Sequence, residues 1–347
     1  MKAPSSSPFG KFGAARPKPL SVSGASLVKM SPLREDEDLP LVMGPACEGV
    51  DLSGWARGRR EEIEAELLRH GAILFRGFGV KSVGGFEQVA RAISPDLLDY
   101  TERAAPRLEV GNNIFTSTEY PADQHIPLHH EMSYSHNWPS KIWFFCLQPA
   151  AQGGATPIAN DRKIFARLDP AIKETFMRKK VMYVRNYGDG LDLTWQDVFQ
   201  TGERAKVEQY CRQSHTEFEW KDENRLRTRQ VRQAVATHPK TGETVWFNHA
   251  HMFHLSNLRP EVRESLLSEF KEEDLPRNAY YGDGSRIEAS VLDEIRGVYQ
   301  EAAVIFPWQE GDVLMLDNFL ASHGREPFVG PRQILVAMAE LYTNNEI

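Results

Sequence analysis

The sequence predicts an all-β core with added helices (α+β): one sheet-based barrel with flanking helices, interrupted by a helix-rich insertion over about 169–277. Three observations predict it. Apolar segments of strand length lie near both ends of the chain, polar motifs accompany those strands, and the middle is polar, aromatic and helical by turns. Neither an internal repeat nor a recognisable interdomain linker divides the chain. Length alone, 347 residues, leaves one large domain and two smaller ones open. The distribution of strands favours a single domain over 26–347, preceded by a flexible tail over 1–25.

The tail is rich in Pro and Gly and has little helical periodicity, as expected of a solvated segment. It also lacks acidic residues before Glu35, a transit-peptide feature that its composition outweighs. Glu61–His70 places Ile63, Leu67 and Leu68 on one helical face, and Gly71 stops the helix. Ala72–Phe78 follows as a short buried strand, and a second helix is expected around Val83 to Ile93. Lys141–Ala150 reads as a strand, and the glycine-rich turn of QGGATPIAN leads into another. In WQEGDVLMLDN a Gly-Asp turn precedes an apolar strand, and Gln333–Leu341 is the last strand.

The formal net charge is -7, from 41 basic and 48 acidic residues, with no basic tract. That composition argues against nucleic acid or an anionic membrane surface as a partner. Cys47, Cys146 and Cys211 lie far apart and form no CxxC pair, so neither a disulfide framework nor a thiolate zinc site is expected. The expected setting is reducing and cytoplasmic. No apolar run is long enough to cross a bilayer.

The stretch LHHEMSYSHNWPS concentrates histidine. On an extended chain alternate residues share a face, so His129 and Glu131 point one way while His130 and Met132 point the other. One imidazole and one carboxylate on one face supply two adjacent ligands to a metal. The same H-x-E pattern also describes a surface histidine beside a solvated glutamate. A third ligand must come from elsewhere, and two histidines with one carboxylate suit non-heme Fe(II) oxygen chemistry because three positions stay free. The C-terminal segment offers His323 after a strand and a loop, then Arg332 at the start of the last strand. Such a pair suits a small dicarboxylate that chelates the metal at one end and is gripped by a guanidinium at the other.

The phrases TSTEYPADQHIPLHHEMSYS, WPSKIWFFCLQPA, GGATPIA, WQEGDVLMLDN and HGREPFVGPRQILVAM carry a family resemblance extending from about Leu27 to Glu340. The sequence resembles the taurine dioxygenase-like (TauD/TfdA) Fe(II)/2-oxoglutarate-dependent oxygenases, and within them the SyrP-like aspartyl hydroxylase branch. The resemblance implies a double-stranded β-helix (jelly roll) with the iron triad on His129, Glu131 and His323. It implies further that Arg332 and Thr156 hold 2-oxoglutarate, with O2 as the other co-substrate. Two features depart from the pattern: His130 stands where this branch is expected to carry Asn, and Val336 where taurine-type enzymes carry a second arginine for the substrate's anion.

The implied reaction is hydroxylation of an unactivated C–H bond of an amino-acid-type substrate, free or carrier-protein-tethered, in specialised metabolism such as antibiotic biosynthesis, with release of succinate and CO2. Desaturation at the same iron site and a non-catalytic metal-binding sensor are the alternatives. Glu131 argues against halogenation, for which related enzymes replace the acid with a small residue. Arg229, Arg232, Trp246, Asn248, His251 and Arg325 are the expected substrate contacts, with the histidines of WFNHAHMFH lining the pocket rather than forming a second metal site. A homo-oligomer stays open.

Overall fold

The strand Asn137–Gln148 lies at the centre of the molecule because both its faces are apolar in its middle turns. It pairs antiparallel with Val313–Asp317 on one side and Gln333–Thr343 on the other. These are strands in a computed structural model that describes residues 27–344 apart from 101, 103, 104, 119 and 189. The tail expected over 1–25 lies outside the described residues. The large sheet runs in the order Val28–Arg34, Glu37–Pro45, Ala72–Phe75, Val313–Asp317, Asn137–Gln148, Gln333–Thr343, Ile114–Thr116, Glu109–Gly111. The only parallel pair in that order joins Glu37–Pro45 to Ala72–Phe75.

The two faces of this sheet have different covers. Trp143, Phe145, Met315, Leu335 and Ala337 face one way, against Leu52, Trp55, Ile63, Leu67, Phe86 and Val89 of the flanking helices. Those helices are Leu52–Arg57, Arg60–His70 and Val83–Ile93. Their ends follow the sequence signals: Gly71 closes Arg60–His70 in the left-handed conformation (φ 79°), and the Ser82 side chain accepts a bond from the Gly85 amide at the start of Val83–Ile93. Ile142, Phe144, Leu316, Val336 and Met338 face the other way, toward a smaller antiparallel sheet. That sheet runs Ala303–Val304, Ile158–Asn160, Ala321–Arg325, Ile126–His129. Burial on both faces is why the central strands read as continuous apolar runs rather than alternating ones.

The two sheets form an unclosed double-stranded β-helix with helices outside, as expected. The segment 169–277 holds helices such as Pro170–Lys179, Arg204–Gln213 and Pro260–Glu269, but also most of a four-stranded sheet. Its order is Glu217–Trp220, Leu226–Arg232, Val181–Tyr187, Arg277–Tyr281. LRTRQVR reads as too polar for a buried strand, yet Arg227 and Arg232 are buried there because carbonyls and side chains accept their donors. Buried charge of that kind is invisible to a hydropathy pattern. Among the described residues no helix is long and apolar enough to cross a membrane.

Candidate metal and dicarboxylate site

His129 and His323 face each other across the small sheet, as partners in the antiparallel ladder between Ile126–His129 and Ala321–Arg325. Their ring centroids are 4.5 Å apart. The approach depends on Gly324, where a Cβ would lie 2.6 Å from the Ile126 carbonyl oxygen. Glu131 joins them by a route that strand alternation does not describe. The strand stops at His129, the chain turns, and Met132 takes a positive φ of 58°. Asn318, just past Val313–Asp317, fixes that turn: its Oδ1 accepts from the Glu131 amide at 2.8 Å, while its Nδ2 donates to the carbonyls of Glu131 (2.9 Å) and Pro139 (2.8 Å). Ligand atoms of His129, Glu131 and His323 all lie within 4.8 Å of one another.

His130 points away from these three, as expected, but into the protein rather than to solvent. Its Nε2 lies 3.0 Å from an Asp161 carboxylate oxygen, and both side chains are completely buried. His130 lies just past the end of Ile126–His129, in the turn, where Asp161 and Phe247 enclose it.

The protonation states suit metal binding. Burial, then the neighbouring His323, push the His129 imidazole down to about 3. Its Nδ1 sits 2.8 Å from the Pro127 carbonyl, so Nδ1 carries the hydrogen and Nε2 presents a lone pair. Burial likewise lowers the pKa of His323. For Glu131 burial opposes ionisation, but the Arg107 guanidinium and the two imidazoles outweigh it and hold the carboxyl well below its usual range. Two neutral imidazoles and one carboxylate, with ligand atoms mutually close, fit Fe(II) with positions left open.

Arg332 lines one cavity together with His129, His323, Thr156 and Val336. Its Nε donates to the Gly154 carbonyl at 2.9 Å, Nη1 to Ser117 Oγ at 3.3 Å and Nη2 to Thr156 Oγ1 at 3.4 Å. Thr156 Oγ1 also accepts from Trp308 Nε1 at 3.1 Å. The paired glycines make room for the arginine: Gly154 has φ +69°, and a Cβ there would stand 3.0 Å from Arg332 Cδ. A guanidinium and a hydroxyl side by side can together hold one carboxylate of a dicarboxylate.

The expected substrate contacts separate. Arg325 lines the cavity, where its terminal nitrogens donate to the carbonyls of Tyr120, Pro121 and Gln124. Trp246 packs against Phe176 in the core, and Asn248 bonds the Ala234 carbonyl and the Ala250 amide. His251 bonds the Leu128 carbonyl at 2.8 Å. Arg232 is spent on Ser214, Thr216 and Gln230, and the half-exposed Arg229 lies 3.9 Å from Glu219. None of these five residues is among the cavity walls. Sequence reasoning missed Asn318 and Arg107; only the proximity of Asn318 to an apolar strand end could have drawn attention to it.

Comparison with known proteins agrees with this geometry. Residues 35–338 match the family described as taurine catabolism dioxygenase TauD, TfdA. The dapdiamide synthesis protein DdaC of Enterobacter agglomerans is 41% identical over 278 residues, 80% of this chain and 84% of that protein. A clavaminate synthase-like protein of Arabidopsis thaliana is 29% identical over 324 residues, 88% of this chain and 95% of that protein. Among solved structures, PvcB of Pseudomonas aeruginosa superimposes with a TM-score of 0.53 at 16% identity, covering 95% of this chain and 94% of that one, which shows the shared fold.

Proposed function

The chain belongs to the TauD/TfdA family and is an Fe(II)- and 2-oxoglutarate-dependent dioxygenase; from that premise we propose that it hydroxylates an unactivated C–H bond of a small amino-acid-type substrate in specialised metabolism. His129, Glu131 and His323 hold the iron, and Arg332 with Thr156 holds the distal carboxylate of 2-oxoglutarate. The observation that carries this assignment is the convergence of the three ligand atoms beside a cavity that His129, His323, Arg332 and Thr156 line together. With both groups bound, the centre supplies the oxidant for removing a hydrogen atom from carbon, while 2-oxoglutarate becomes succinate and CO2.

The chain's own contribution is placement and shielding. Asn318 fixes the Glu131 turn, and Phe144 packs 5.0 Å from the His323 ring and closes one side against water. The amino-acid class is supported by the 41% identity to a protein named for dapdiamide synthesis. The test is anaerobic loading with Fe(II) and 2-oxoglutarate, then exposure to O2 with amino acids, free and carrier-bound, while succinate and product mass are followed. A product heavier by one oxygen supports hydroxylation. A product lighter by two hydrogens assigns desaturation instead, and no succinate with any substrate contradicts the amino-acid class.

A further inference from the structure

Arg107 reaches the iron site from the segment ahead of Ile114–Thr116, and no motif in the sequence marks it. Its side chain is 4% exposed. Nη2 donates to Glu131 Oε2 at 2.8 Å and to Thr118 Oγ1 at 3.3 Å. The other two nitrogens, Nε and Nη1, are buried and have no hydrogen-bond partner among the described residues. Orphaned donors on a buried cation are costly, and a water, an ion or a ligand in the adjoining cavity can complete them. The guanidinium stacks 4.6 Å from the Tyr100 ring centroid and forms part of the cavity wall.

Three arginines line that cavity, and they are not equivalent. Every nitrogen of Arg332 has a partner, at the end that suits 2-oxoglutarate. The two terminal nitrogens of Arg325 are taken by backbone carbonyls. Val336 contributes no charge to the wall. Once Fe(II), Glu131, 2-oxoglutarate and Arg332 balance one another, Arg107 and Arg325 remain as positive charge, and of the two it is Arg107 that touches Glu131 and has two donors to spare among the described residues. An anionic substrate group beside Arg107 would balance it.

The segment 169–277 meets the chain ahead of this residue. Gln200 Nε2 donates to the Tyr100 carbonyl at 2.6 Å. The Glu102 carboxylate accepts from Tyr210 at 2.6 Å and from Gln230 at 3.2 Å, and its carbonyl accepts from Tyr134 at 2.8 Å. These bonds anchor Tyr100, on whose ring the Arg107 guanidinium stacks. Support of this kind is what a substrate-orienting residue needs.

We propose that Arg107 binds a carboxylate of the amino-acid substrate, with Nη1 donating to it while Nη2 stays on Glu131, so that one guanidinium registers substrate against an iron ligand. The proposal rests on the reading of the substrate as an amino acid. That carboxylate is either the α-carboxylate of a free amino acid or the side-chain carboxylate of an acidic one.

The test uses the full-length protein loaded anaerobically with Fe(II) and 2-oxoglutarate. Proteinogenic L-amino acids and their α-amides are titrated while the metal-to-ligand charge-transfer band is followed, with asparagine and glutamine as side-chain amides of aspartate and glutamate. An amide that removes the recognised carboxylate should bind roughly tenfold to a hundredfold more weakly than its acid. Weakening by the α-amides assigns the α-carboxylate, and weakening by asparagine or glutamine assigns the side chain. Arg107→Gln should keep the band but lose the preference for acid over amide, and Arg107→Lys should recover part of it. Equal binding of acid and amide by the wild-type protein overturns the Arg107 proposal and leaves the amino-acid reading standing. A band that no amino acid shifts contradicts both. An R107Q protein that loses the band, or keeps the preference, overturns the proposal.

Discussion

Two histidine-rich segments, 128–136 and 246–254, pack against each other, with the His129 and His249 rings 5.4 Å apart, and their ring nitrogens meet different fates. In the second segment each histidine has a protein partner. His249 Nδ1 pairs with Ser133 Oγ at 2.6 Å, His251 Nε2 with the Leu128 carbonyl at 2.8 Å, and His254 Nδ1 with Ser256. In the first, His129 meets the Glu131 carboxylate and, from Ala321–Arg325, His323, with both rings at the wall of a cavity. Histidine density therefore says little; what separates a metal centre from a polar core is a carboxylate and free ring nitrogens beside open space. The second segment supports the first, since His251 holds the carbonyl of Leu128, the residue before the proposed ligand His129.

Substitutions can break this contrast, and the largest effect is expected at the ligands. His323→Ala should abolish the anaerobic Fe(II)/2-oxoglutarate charge-transfer band and, with it, succinate formation. Arg332→Ala removes a charge-assisted grip but no ligand. The 2-oxoglutarate concentration that half-saturates the band should rise about a hundredfold, while the band at saturation keeps its shape. His130→Ala strands Asp161 in the core and should cost about 3 kcal/mol in denaturant unfolding. His251→Ala leaves the Leu128 carbonyl unpaired and should cost about 1–3 kcal/mol, with the band intact.

The smallest effect is that of pH on the second segment. Burial pushes His251 down from 6.5 to about 4 in the folded protein, so the unfolded chain binds the proton more readily. Stability is complete above 6.5 and is lost as pH falls toward 4, with His251 contributing about 1 kcal/mol over the first pH unit below 6.5. Thermal unfolding across that range should show the decline, and His251→Gln should make it shallower by that share, leaving the part carried by the other buried histidines, His129 and His254 among them.

The same contrast explains what could be read from the sequence. The central strands announce themselves because WFFC and VLML are apolar on both faces, and Gly71 and Ser82 mark helix ends by local chemistry. The H-x-E, His323 and Arg332 group was legible through residue type and family resemblance, although Glu131 reaches the group through a turn rather than along a strand. The sheet inside 169–277 was not legible, because its buried arginines look like surface residues until their partners are known. Trp246, Asn248 and His251 looked like pocket residues for the converse reason: they are polar or aromatic, but their partners are in the core. Arg107 carries no periodicity or motif, and its significance lies in two nitrogens without a partner among the described residues, which only three dimensions reveal.

We assign the iron face of the histidine pair to His129 rather than His130. Anaerobic titration of His129→Ala and His130→Ala with Fe(II) and 2-oxoglutarate decides between the two. His129→Ala should lack the charge-transfer band, and folded His130→Ala should retain it. A band that survives in His129→Ala and disappears in His130→Ala would place the iron on His130 instead.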